Sequence, residues 1–135
     1  MLAPKKSKYR KQFRDNIKGR ATSGYRLAFG EFGLKSLGSG WFAANQIEAA
    51  RKTISNFTKR GGKIWVRIFP DKPVTKKAAG VRMGGGKGDI EKYVAVIRPG
   101  RILFELGGLE EKIAQEALRR AADKIPFPTK IIKKE

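Results

Sequence analysis

Apolar residues recur at helical spacing in two places along the chain. Ile47, Ala50, Ile54 and Phe57 are separated by 3, 4 and 3 positions, which puts them on one helix face. They predict a helix over Asn45 to Lys59, ended by Gly61-Gly62. A second stripe, Ile113, Ala114, Ala117, Leu118, Ala121 and Ile125, predicts a helix over Leu109 to Lys124. Glu110 and Glu111 sit at its start, the positive end of the helix dipole, and Pro126 prevents its continuation. Elsewhere the period is two. In Lys63 to Phe69, Ile64, Val66 and Ile68 share one face, and Trp65, Arg67 and Phe69 the other, as in a strand. Pro70 to Pro73 is expected to stop that ladder, since proline cannot donate to it. Strands over Tyr93 to Arg98 and Arg101 to Leu106 flank Pro99-Gly100, a tight-turn pair, and are expected to pair antiparallel. Thr129 to Lys133 reads as a last edge strand, and Tyr25 to Leu34 as an extended segment broken by glycine.

This pattern predicts an α+β fold, a two-layer sandwich with a mainly antiparallel sheet and two packed helices. No internal repeat is visible. A single domain is expected over 21–135, preceded by an arm at 1–20 and interrupted by a polar, basic, glycine-rich segment taken as a long loop over 74–90.

Charge changes the picture more than any other property. The 135 residues hold 31 Lys and Arg against 12 Asp and Glu, a net charge of +19. Such an excess repels itself in a compact fold and points to a polyanionic partner: nucleic acid first, an anionic membrane surface second. The hydrophobic fraction of 40% is enough for a core. With no Cys and no His, disulfides, thiol nucleophiles, imidazole bases and the common zinc ligand sets are excluded. No apolar run approaches the ~18 residues of a membrane span. The start, MLAPKKSKYRKQFR, lacks the apolar region of a secretory signal, so a soluble, intracellular chain is expected.

The arm carries Lys5, Lys6, Lys8, Arg10, Lys11, Arg14, Lys18 and Arg20 against the single acid Asp15, with Tyr9 and Phe13 interleaved. Rings among cations suit RNA, and an arm that orders on such a partner is favoured over a solvated tail. The glycine-rich segment holds Gly80-Val-Arg-Met-Gly-Gly-Gly-Lys-Gly-Asp89, which invites comparison with phosphate-cradling loops. A Walker A loop, G-x-x-x-x-G-K-[ST], would align its last glycine and lysine with Gly86-Lys87. Its first glycine then falls on Val81 and its magnesium-binding hydroxyl on Gly88. A dinucleotide G-x-G-x-x-G from Gly84 fails at Asp89. The segment also leads into a strand, where both motifs require a helix. No other set of titratable groups is arranged for acid–base work, so no enzyme and no cofactor or metal are expected. The remaining reading is a thin backbone finger. Arg82 offers a planar fork for phosphate or a base edge, Lys87 a point charge, and Met83 a surface for a base or sugar. The plainer alternative is a solvated loop with incidental charges.

Several segments together are familiar. QIEAAR (Gln46–Arg51), GGKIWVRIFPDKPVT (Gly61–Thr75), VRMGGGKG (Val81–Gly88), PGRILFELGG (Pro99–Gly108) and the MLAPKKSKYRK start closely resemble the bacterial and organellar large-subunit ribosomal protein sixteen family. The resemblance runs in register over nearly the whole chain. It implies a non-catalytic α/β sandwich seated on large-subunit ribosomal RNA beside aminoacyl-site tRNA. Contact with peptidyl-site tRNA is a further extension, and the glycine-rich loop would point toward the peptidyl-transferase region. Some positions depart from the family pattern. QFRDN stands where the arm usually carries His. Ala43, Ala44 and Asn45 replace a Thr or Ser cap and an Arg before Gln46, and Gly85 stands where Lys or Ser is common. Tyr93 replaces a common Trp.

The residues expected on ribosomal RNA are therefore the eight arm cations with Arg51, Lys59, Arg60, Lys63, Arg67, Lys72, Lys76 and Lys77. Those expected to face tRNA and the peptidyl-transferase region are Arg82, Met83, Gly84, Gly86 and Lys87. The expected partners are large-subunit rRNA, tRNA and neighbouring ribosomal proteins, with no membrane and no small-molecule substrate. The protein would be a monomer within a cytoplasmic or organellar ribosome. A free-standing RNA- or DNA-binding module is the alternative.

Overall fold

The described residues form seven strands and two helices, the helices where the apolar period is 3.6. A computed structural model describes residue 21 and residues 24–76 and 89–134. In chain order the elements are β1 (Phe32–Ser36), β2 (Gly40–Ala43), α1 (Ala44–Phe57), β3 (Lys63–Val66), β4 (Lys72–Lys76), β5 (Asp89–Ile97), β6 (Ile102–Gly107), α2 (Glu111–Ala122) and β7 (Thr129–Lys133). One sheet has the order β3-β6-β1-β7 and the other β2-β5-β4. Every ladder in both is antiparallel. This is the expected α+β sandwich, with the single sheet resolved into two.

The predicted apolar faces make the core. Ile47, Ala50 and Ile54 of α1 and Ala114, Ala117, Leu118 and Ala121 of α2 are buried with Phe32, Leu34, Phe104 and Leu106 of the four-stranded sheet. The small residues on α2 let α1 and α2 pack against each other. Ile113 is the exception on the predicted α2 stripe, at 37% exposure. It lies in the first turn, at the edge of the buried arc. Phe42 meets both Phe104 and Phe127 edge-on, with centroids 6.3 and 5.7 Å apart, and ties β2 and the chain after α2 into this core.

Three expectations are corrected: a strand pairing, the bounds of a loop and the end of a strand. The strands flanking Pro99-Gly100 do not pair with each other. β5 runs between β2 and β4, whereas β6 runs between β1 and β3. The turn itself exists, with Arg101 N–H donating to the Arg98 carbonyl at 3.2 Å. Its remaining backbone groups are taken elsewhere: Gly100 N–H donates to Ser36 O at 2.8 Å, and Pro99 O accepts from Ala21 N at 3.0 Å. The turn is thus a corner between sheets. The β3 ladder does end before Pro70, as expected, while Pro73 itself lies within β4, an edge strand of the other sheet, where proline is tolerated. Val74–Lys76 also belongs to β4 and pairs with the start of β5, so the loop expected over 74–90 is shorter at both ends. Regular strand structure after Lys63 ends at Val66, short of the predicted Phe69. Among the described residues, no helix is long and apolar enough to cross a membrane.

Candidate nucleic-acid interface

The turn joining α1 to β3 gathers three of the expected RNA contacts. At the end of α1, Arg60 N–H donates to Ser55 O at 2.9 Å and Lys59 N–H to Asn56 O at 3.3 Å. These are the two bonds of a Schellman cap, which places Lys59 where glycine is the usual residue. Lys59 and Arg60 accordingly hold left-handed φ values of 52° and 62°. A side chain in that region costs of order 1–2 kcal/mol, so the surrounding structure must enforce it. Gly62 shows how. Its φ is 68°, and a Cβ there would lie 2.5 Å from the Gly107 carbonyl oxygen of β6. The turn is thereby clamped onto the sheet, with Lys59, Arg60 and Lys63 exposed on it. None of the three makes an ion pair among the described residues.

Some other cations are paired with a nearby acid. Arg51 donates through Nε to Glu48 at 3.2 Å, and this bond lowers the Glu48 pKa and raises that of Arg51. On α2, Glu116 accepts from Arg119 and Arg120, and these bonds bring its pKa down to about 2. Lys133 of β7 approaches Glu111 at 3.4 Å. The cations of the α1–β3 turn thus differ from Arg119 and Arg120 of α2, which have an acid beside them, but share their exposure with Lys52, Lys112 and Lys124.

Two expected RNA contacts point inward. Lys72 is buried at 7% exposure, with Nζ 5.7 Å from the Trp41 ring centroid. Arg67 is engaged by Glu105, a fully buried carboxylate in the middle of β6. Glu105 Oε1 accepts from the N–H groups of Ala28, Phe29 and Gly30 at 3.0, 2.9 and 2.9 Å, while Oε2 accepts from Arg67. Burial alone would raise the Glu105 pKa. The bonds from Gly30, Phe29, Arg67 and Ala28 outweigh it and hold the carboxylate below its ordinary value. Nearby, burial and the Arg67 charge lower the pKa of Arg101. Sequence reasoning passed over Glu105, although an acid inside the apolar run ILFEL signals a buried partner.

That node shapes the surface beside the cationic turn. Gly30 crosses so close to β6 that a Cβ would meet Leu106 O at 2.5 Å. The next residue donates its N–H to the same carbonyl at 2.9 Å. Phe29 is left 60% exposed, its ring 6.0 Å from Trp65 and inclined by only 19° to it. The Arg67 guanidinium carbon lies 5.4 Å from the Phe29 centroid. Trp65 is only half-buried. An open groove of about 370 Å³ runs between Phe29, Gly30, Glu31, Gly62, Lys63, Trp65, Gly107 and Gly108. The sequence offered no signal for this groove, because Phe29 stacks on a Trp65 distant in the chain and is held there by Glu105, 76 residues away.

At the start of α1, Ala43 has no side-chain acceptor for the helix N–H groups. The substitute is partial: Ala43 N–H donates to Gln46 Oε1, and Asn45 Oδ1 accepts from Gln46 N, both at 2.9 Å. Lys76 ends β4. The arm cations Lys5, Lys6, Lys8, Arg10, Lys11, Arg14, Lys18 and Arg20 lie outside the described residues, as do Lys77, Arg82, Met83, Gly84, Gly86 and Lys87.

A family model described as ribosomal protein L16p/L10e matches residues 4–132, which include every element of the fold up to β7 and both cation-rich segments. The chain belongs to the L16p/L10e family of ribosomal proteins.

Proposed function

We propose that this protein is seated directly on large-subunit ribosomal RNA, with its arm and α1–β3 turn neutralising phosphates. Membership of the family supports a structural role in the large ribosomal subunit, and the family is structural rather than catalytic. The match over residues 4–132 carries the reading. Lys59, Arg60 and Lys63, exposed and in no ion pair among the described residues, support direct contact with RNA. Their turn is held in a strained conformation by the sheet behind it, so little order is lost when phosphate binds.

In the same proposal, Arg82 and Lys87 meet tRNA at the aminoacyl site near the peptidyl-transferase region. Met83 packs there, and Gly84 and Gly86 let the backbone approach closely. Contact with peptidyl-site tRNA is the outer extension of this surface. Neighbouring ribosomal proteins are the other partners, and the protein acts as one copy per subunit. It organises RNA that holds tRNA, and the chemistry belongs to the RNA. Sedimentation of the protein with large subunits in a high-salt gradient tests this placement. Retention in the large-subunit peak is expected, and a protein that remains at the top of the gradient would point instead to a free-standing nucleic-acid-binding module.

A further inference from the structure

The groove beside the α1–β3 turn has features that phosphate neutralisation alone does not explain. Phe29 is the most exposed of the large hydrophobic side chains in the described residues, and its backbone is fixed by the buried Glu105. Its ring and that of Trp65 are nearly parallel. Stacked on each other, they make an aromatic wall at one side of the groove, with Gly62, Gly107 and Gly108 lining it too. Lys63 lines the same groove, and Lys59 and Arg60 occupy the turn that leads into it. Glu31 is the one acid in the lining. An aromatic wall beside Lys63, with two further cations on the adjoining turn and no ion pair for any of the three among the described residues, matches an unstacked nucleotide, whose base is planar and whose backbone is anionic. The volume of about 370 Å³ lies in the range of small-molecule sites.

We propose that this groove seats one unstacked base of the large-subunit RNA against Phe29 and Trp65, with the adjoining phosphates on Lys59, Arg60 and Lys63. The proposal rests on the ribosomal-RNA reading above and adds a defined base pocket to it. The Glu31 carboxylate, acting only as an acceptor, favours a base with an exocyclic amino group. The Glu105 node serves the site indirectly by holding residues 28–30 against β6.

The chain has two tryptophans, so a Trp41→Phe background leaves Trp65 as the only indole reporter. Titration with an in vitro transcript of large-subunit RNA should quench Trp65 emission with the same midpoint as filter binding. In that background Phe29→Ala should weaken binding about tenfold without changing the salt slope, because the ring carries no charge. Phe29→Leu keeps an apolar side chain but loses the ring, and should weaken binding similarly. Circular dichroism checks that both variants are folded. Steeply salt-dependent binding with unmoved Trp65 emission, and with Phe29→Ala as tight as its parent, would overturn the base pocket and leave the RNA reading standing. The occupant would then be sought in an apolar segment of a neighbouring protein. Loss of salt-dependent binding in the parent itself would overturn both.

Discussion

Replacing Glu105 by Gln tests the internal node on which both the core and the proposed surface depend. The side chain is fully buried and accepts four hydrogen bonds, three from backbone N–H groups and one from Arg67. Glutamine keeps the shape and one acceptor oxygen for residues 28–30. It sets an NH2 group against the Arg67 guanidinium, whose side chain is only 16% exposed. Removing one partner of a buried pair typically costs about 3–5 kcal/mol. Arg67 keeps a bond to Arg26 O at 3.1 Å and some contact with water, so a loss of about 2–3 kcal/mol is expected for Gln. Glu105→Leu also strands the buried Gly30 N–H, which adds about 1–3 kcal/mol. Urea unfolding followed by circular dichroism measures both. The pH dependence separates charge from shape. Folding lowers the Glu105 pKa, so the unfolded chain takes up the proton first as pH falls. The stabilisation is present above the ordinary carboxylate pKa of about 4.3 and is lost as pH drops through the lower folded value. The gap between wild type and Glu105→Gln should therefore be widest near pH 7 and shrink below about pH 4. A gap under about 0.5 kcal/mol at pH 7, the size of an ordinary surface change, would refute this account, as would a gap that does not shrink in acid.

Lys59→Gly relieves a left-handed side chain and should raise stability by up to about 1 kcal/mol, the left-handed penalty less the entropy of glycine. The same change should reduce the salt slope of RNA binding by about 0.7–0.9, the share of one phosphate, which parallel denaturation and binding titrations measure. Arg82→Ala should impair tRNA accommodation more than incorporation into the subunit. Variant subunits that assemble poorly yet translate normally once assembled would count against that role.

Some of this molecule was legible in advance. Ile47, Ala50 and Ile54 on α1, the α2 stripe and the β7 edge strand follow from periodicity, because each buries one face against a continuous core. The four-residue β2 is too short to show a period, and Pro73 hid β4 until its edge position was known. Pairing was the harder problem. The turn between β5 and β6 is made by Pro99 and Gly100, but Ser36 and Ala21 decide that it is a corner. At the candidate interface, exposed cations such as Lys59 and Arg60 were visible as charges, while their strained geometry was not. Arg67 and Lys72 look the same as them in sequence and differ only because Glu105 and Trp41 lie beside them.

The most direct test of direct RNA contact is the equilibrium affinity for a large-subunit RNA transcript across a series of salt concentrations. With many cations on phosphates, log K should fall linearly and steeply with log salt, by about 0.7–0.9 for each phosphate neutralised. Removing Lys59, Arg60 and Lys63 together should lower that slope by about 2–3. A flat salt response in the intact protein would contradict the account.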